Sequence, residues 1–160
     1  MGGMADPTDG LWSWCASGRL PAENVRSALA GVLERPVTTL DVPVDGAILC
    51  DVWHVGGDFE TLIDCYLTPG ETVEATVASA VAVRLGAALL LPDDTLNPSR
   101  YVLAEPTGAL SPVHVDEVET DDGPERRHLR PCTGDDPACA THPGCTESRW
   151  RPTPGRPAAA

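Results

Sequence analysis

The sequence predicts an α+β fold: an antiparallel-rich sheet with two helices on one face, built as a ferredoxin-like βαββαβ core plus a C-terminal hairpin, and followed by a disordered C-terminal tail. Three observations predict it. Two segments carry apolar residues at helical spacing, Val25, Ala28, Leu29, Val32 and Leu33 in one and Val73, Val77, Val81 and Leu85 in the other. Between and around them lie β-rich runs broken by Gly and Pro, in the order β-α-β-β-β-α-β-β-β, and helices separated by hairpins suit a single sheet with helices on one side. The chain has 160 residues and 42% hydrophobic content, enough for one real core and too little for two sizeable ones.

Residues 1–10 have no periodicity and are expected to be disordered. Leu11–Cys15 reads as a short strand stopped by Ser17-Gly18. Pro21 suits a first helical turn, where Glu23 also complements the helix dipole, and the stripe that follows ends before Pro36, placing the first helix at about 21–34. Val37–Val42 is β-branched and extended. Ala47–Val55 and Asp58–Leu67 are two β-rich runs around Gly56-Gly57, the pattern of a hairpin with a two-residue turn. Pro69-Gly70 breaks the chain before a second helix at about 72–86, which Gly86 can cap. Ala87–Leu91, Arg100–Glu105 and Ser111–Glu117 read as three further strands. The single α+β domain is thus expected over 11–118, and 119–160 as an acidic-then-basic, Cys/His-containing mobile tail, because nothing there repeats at a helical or strand period.

Charge is unevenly spread. Through Asp122 there are 20 acids against five arginines, a net of −15; from Gly123 on there are four acids against six arginines, a net of +2. A negative body repels polyphosphate and favours encounter with basic partners, so nucleic acid is not an expected ligand. All eleven basic residues are Arg. The run Asp116–Asp122 reads as a solvated linker, as an extension of the acidic surface, or as a segment that folds back on Arg126, Arg127 and Arg130. No secretory leader is visible at the N-terminus and no apolar stretch is long enough to span a bilayer, so the expectation is a cytoplasmic protein with no membrane partner, its six cysteines reduced or metal-bound.

Strand alternation divides the Gly56-Gly57 hairpin into two faces. Ile48, Cys50, Val52, His54, Phe59, Thr61, Ile63 and Cys65 form the face expected to meet the helices. Leu49, Asp51, Trp53, Glu60, Leu62, Asp64 and Tyr66 form the other. With a two-residue turn, Glu60 and Asp64 both lie diagonal to Asp51, ~7–8 Å away. Three carboxylates beside two aromatics suit a protein-docking surface, with Asp51, Trp53, Glu60, Asp64 and Tyr66 as its residues. The same carboxylates are also oxygen donors of the kind that Mg²⁺ or Ca²⁺ take. Cys15, Cys50 and Cys65 sit in apolar strands, where a free thiol behaves as a small hydrophobe. His114 alternates outward with Asp116.

The tail gathers His128, Cys132, Cys139, His142 and Cys145. Thiolates and imidazole are zinc ligands, and Cys132, Cys139, His142 and Cys145 can close a tetrahedral set, although Cys139-x-x-His142-x-x-Cys145 matches no zinc-finger spacing. No nucleophile elbow, phosphate loop or metalloprotease signature is present. Immunity proteins that inhibit toxins are likewise small, acidic and α+β. By that class analogy the expected function is a non-enzymatic protein-binding module, most concretely an immunity-type inhibitor of a basic protein toxin. The alternative is a zinc-binding protein whose tail holds the metal, and the third is a small enzyme whose site only geometry would reveal.

Overall fold

A computed structural model describes residues 10–42, 44–93, 97–141 and 145 of the chain. Its elements in order are β1 (Trp12–Ala16), α1 (Ala22–Leu33), β2 (Val37–Thr38), β3 (Ile48–His54), β4 (Thr61–Tyr66), α2 (Glu74–Leu85), β5 (Leu89–Pro92), β6 (Arg100–Ala104), β7 (Leu110–Thr120), β8 (Gly123–Pro131) and α3 (Pro137–Thr141). The fold is mixed α+β, with the eight strands in one sheet ordered β2-β3-β4-β1-β5-β6-β7-β8. Only β2 against β3 is parallel; every other neighbouring pair is antiparallel. The sheet is wider than the predicted ferredoxin-like core with one hairpin.

Both long helices form where the apolar stripes place them. Val25, Ala28 and Leu29 of α1 and Ala75, Val77, Ala78, Val81 and Ala82 of α2 are buried against Trp12, Trp14 and Ala16 of β1, Leu89 and Leu91 of β5, Val102 and Ala104 of β6, and Ile48, Cys50, Ile63 and Cys65 of β3 and β4. Pro21 stands at the N-cap of α1, and Gly86 ends α2 in the left-handed conformation (φ 64°), where a side chain would be strained. Trp12 and Trp14 stack at 5.5 Å on this side, and Trp14 Nε1 donates to Glu74 Oε2 at 2.8 Å, tying β1 to the first turn of α2.

The opposite side of the sheet has a second apolar cluster: Cys15, Val55, Phe59, Leu62, Leu90, Leu103, Val113 and Val115. No helix covers it. The register of β7 against β8 shifts between His114 and Asp116, a bulge that bends the hairpin, and His128 opposite it takes φ 60°. The far half of the β7–β8 hairpin then lies against the β3–β4 loop. Gly57 bridges Arg126, Asp58 N–H donates to Arg126 O at 2.9 Å, and a Cβ on Gly123 would touch Val55. Arg126 closes the cluster by lying over the Tyr101 ring at 5.6 Å.

These contacts correct the predicted tail. The residues from 119 to 131 are the end of β7, a two-residue turn and the whole of β8, and 137–141 are helical. The acidic run and the basic run, read separately, each lack an apolar period; read together they are complementary. Arg126 pairs with Glu117 at 3.0 Å, Arg130 with Asp116 at 3.1 Å and Asp136 at 2.6 Å, and Arg127 with Glu125. Of the three readings of Asp116–Asp122, folding back on the arginines is the one realised.

The turn prediction is corrected as well. Val55 N–H donates to Glu60 O at 2.8 Å, so the loop has four residues, Gly56–Phe59, and the pairing runs His54 to Thr61, Trp53 to Leu62, Asp51 to Asp64 and Cys50 to Cys65. Phe59 is the reason: the longer loop sinks it into the second cluster, where it is buried. The slip is two residues, so the residues of β3 and β4 keep their predicted faces, whereas Phe59, expected on the helix side, moves into the loop and is buried on the opposite side.

Candidate metal centre

The site is built at the C-terminal corner of the sheet, on the side that carries α1 and α2 but beyond them. Arg100 on β6 pairs with His114 on β7, and His114 with Arg130 on β8. Cys132 follows β8 directly, its N–H held by Pro112 O at 3.0 Å. The chain then turns back through α3, which brings Cys139 and, beyond it, Cys145 over the same spot. Asp136 starts that helix: its Oδ1 accepts from Ala138 N–H at 2.8 Å and its carbonyl from Cys139 N–H at 2.8 Å.

His114, Cys132, Cys139 and Cys145 converge so closely that one ligand atom from each lies within 4.8 Å of all the others. Cys132 Sγ is 3.8 Å from Cys139 Sγ, and His114 Nε2 is 3.2 Å from Cys139 Sγ and 3.8 Å from Cys145 Sγ. His114, Cys132 and Cys145 are buried; Cys139 is half-buried. The three cysteines are free thiols. This group could hold a metal ion.

The surroundings orient the ligands. Asn97 Nδ2 donates to Ala138 O at 2.7 Å, which fixes the direction of its amide and leaves Oδ1 to accept from Ser99 N–H (3.1 Å) and from Ser99 Oγ–H (2.9 Å). With its own proton used, Ser99 Oγ accepts from His114 Nδ1–H at 2.9 Å. The imidazole is thereby held in the tautomer whose bare Nε2 faces the three thiols, the arrangement by which a second hydrogen bond sets a ligating histidine. Burial also pushes the His114 pKa down, which keeps the ring neutral. Two further donors reach sulfur: Arg100 Nε to Cys132 at 3.4 Å and Asn97 Nδ2 to Cys145 at 3.6 Å. Arg100 is itself anchored by a buried ion pair with Asp93. Burial first, and then Cys132 and Cys139, push the Cys145 thiol up to about 12. Three sulfurs this close ionise together only if a cation is set among them.

Of the predicted ligands, Cys132, Cys139 and Cys145 are brought together, and His142 lies outside the described residues. His128 is not part of the group; its Nδ1 faces Asp116 Oδ2 at 2.9 Å on the exposed side of the hairpin. The candidate ligand that sequence reasoning missed is His114, assigned to an outward strand position. The structure overturns that position: His114 shares its side of β7 with Pro112, the side that carries α1 and α2, and it is fully buried, because alternation does not say what covers a strand. α3 and Cys145 cover this one. The signal that could have found it is an imidazole in a strand just before a Cys-bearing segment able to pair back on that strand.

The predicted docking residues occupy the other side of the sheet. Trp53 is 42% exposed, with Asp51, Asp64 and Tyr66 partly exposed near it. Asp51 and Asp64 are directly opposite rather than diagonal. Ser13 Oγ donates to Asp64 Oδ1 at 2.8 Å, and burial, then Asp64 and Asp51, raise the Tyr66 phenol. Glu60 is drawn away from the pair: it sits opposite Val55 where the loop closes, 3.7 Å from Arg19. Cys15, Cys50 and Cys65 are buried, and burial pushes Cys15 up to about 11, an inert thiol. Among the described residues no helix is long and apolar enough to cross a membrane. No family model, curated protein or solved structure matches this chain, so its chemistry is argued from this geometry alone.

Proposed function

We propose that the chain is a zinc-binding protein in which His114, Cys132, Cys139 and Cys145 hold one structural Zn²⁺ that clips the C-terminal segment to the sheet. The observation that carries this reading is the spacing of the ligand atoms. Zinc bound tetrahedrally at about 2.3 Å to sulfur and about 2.0–2.1 Å to nitrogen sets its ligands about 3.8 Å (S to S) and about 3.6 Å (S to N) apart. The 3.8 Å between Cys132 and Cys139 and the 3.8 Å from His114 to Cys145 match those figures closely, the 3.2 Å from His114 to Cys139 is shorter, and all four atoms lie within 4.8 Å of one another, so small side-chain shifts close the set. Soft thiolates select zinc over Mg²⁺ or Ca²⁺, and four protein ligands in a buried site leave no open position for substrate. A structural role follows.

Elemental analysis of the purified full chain tests this. One zinc per chain is expected, abolished in His114→Ala and retained in His142→Ala. Zinc that survives His114→Ala but not His142→Ala would overturn the assignment.

The order β3-β4-β1-β5, in which α2 links β4 to β5 across β1 and α1 leads, by way of the edge strand β2, from β1 to β3 across β4, supports reading the inner sheet as a ferredoxin-like unit widened at both edges. A second functional reading, the acidic protein-binding module, is favoured by one observation: Trp53 stays exposed beside the facing carboxylates Asp51 and Asp64. An immunity-type inhibitor is its narrowest form and rests on charge alone. Trp53→Ala should weaken capture of a basic protein partner at least tenfold with thermal stability unchanged; equal binding by wild type and variant would remove the reading.

A further inference from the structure

We propose that Cys139 is a modification site, the one zinc-bound thiolate open to attack by hydroperoxides, and that its oxidation joins it to Cys132 and releases the metal. This rests on the zinc reading above and adds the regulation of that site. The three thiols are not equivalent. Cys132 and Cys145 are fully or nearly fully buried, whereas Cys139 is half-buried on the outer side of the cluster. Cys132 receives an N–H from Arg100 and Cys145 one from Asn97. Such N–H···S bonds draw charge from a thiolate and lower its nucleophilicity. Among the described residues, the only nitrogen set against Cys139 Sγ is His114 Nε2, the atom that the Ser99 and Asn97 bonds leave without a proton. Cys139 therefore combines the most access with the least quenched sulfur.

The next sulfur is already in place. Cys132 Sγ stands 3.8 Å from Cys139 Sγ, and a disulfide needs about 2.0 Å, so the two must close by about 1.8 Å. The link between them is short and includes Gly134 at φ 89°, a hinge that a substituted residue would stiffen. In the first step the Cys139 thiolate attacks the outer oxygen of ROOH; the O–O bond breaks, an S–OH group forms, and RO⁻ leaves and takes a proton. In the second step the Cys132 thiolate attacks that sulfur; the S–S bond forms, and hydroxide leaves and is protonated to water. Two thiolates lose two electrons, the hydroperoxide gains them, and Zn²⁺, left with one thiolate and one imidazole, dissociates.

The test uses the full chain loaded with one zinc, verified beforehand by elemental analysis. Substoichiometric N-ethylmaleimide should label Cys139 at least tenfold ahead of Cys132 and Cys145. Hydrogen peroxide should release zinc, read by a chromogenic chelator, in step with a Cys132–Cys139 disulfide mapped by mass spectrometry. Cys139→His keeps four ligands and should release zinc at least tenfold more slowly. A chain without zinc removes the underlying reading. A zinc-loaded chain in which Cys132 or Cys145 reacts first, or in which the disulfide omits Cys139, removes this proposal alone.

Discussion

The centre of the sheet and its C-terminal corner are held by different forces. At the centre, two amphipathic helices cover β3, β4, β1 and β5, and the contacts are Val, Leu, Ala and stacked Trp. Burial of apolar area there contributes roughly 1.5–3 kcal/mol for each large side chain. At the corner, β7, β8 and α3 have few apolar residues to bury. They are joined by a long ladder, by arginine–carboxylate pairs and by the three-thiol, one-imidazole group. A segment that cannot offset chain entropy by apolar burial needs ligands or charges to do so, and this one has the charges and a candidate set of ligands.

If the proposed zinc is held, removing it should separate the two regions most sharply. With zinc chelated, or in Cys132→Ser, residues 132–145 should become cleavable by protease while a fragment containing both long helices stays folded. Zinc binding contributes on the order of 10 kcal/mol or more to small metal-held folds, so the loss should be complete rather than graded. Uniform protection of both regions after chelation would show that the ion pairs and ladder alone hold the corner.

The central region is broken by a different change. Leu29 is fully buried under α1, and Leu29→Ala should cost about 2–5 kcal/mol of global stability by urea titration, with zinc stoichiometry preserved in the folded fraction. A cost below ~1 kcal/mol would mean that the helix layer collapses to fill the cavity.

The smallest effect belongs to the ion pairs. Arg130 is 30% exposed, so Arg130→Gln should cost no more than about 1 kcal/mol. Its pH dependence sharpens the comparison. The His128 and Arg130 side chains hold the Asp116 carboxyl below its ordinary range, and Arg130 does the same for Asp136. Both groups take up protons less readily folded than unfolded, so their contribution is complete above about pH 4–5 and is lost as pH falls through the lowered range. Hydrogen exchange should therefore quicken in β8 before the helices on acidification in the wild type, and Arg130→Gln should flatten that difference.

Much of this architecture was legible in the sequence. Val25, Ala28 and Leu29 on one helix and Val77 and Val81 on the other declared their buried faces by spacing, since helical period and burial are the same information. Strand faces in the β3–β4 hairpin were equally legible: the loop length was misread by two residues, yet Asp51, Trp53, Asp64 and Tyr66 kept their side. Three of the metal-centre cysteines were named because thiols near one another in the chain cannot be far apart in space.

Only the tertiary structure decided the rest. Asp116 to Asp122 and Arg126 to Arg130 each look like solvated charge, and their pairing exists only once the hairpin forms. His114 is 18 positions before Cys132, and nothing local marks it as a ligand. Asn97, Ser99 and Arg100 orient the group from yet another strand and its approach. Periodicity reports which side of an element is apolar, a property of the residues themselves. What stands against that side depends on long-range contacts, and for a corner built from charge and sulfur those contacts carry no period to read.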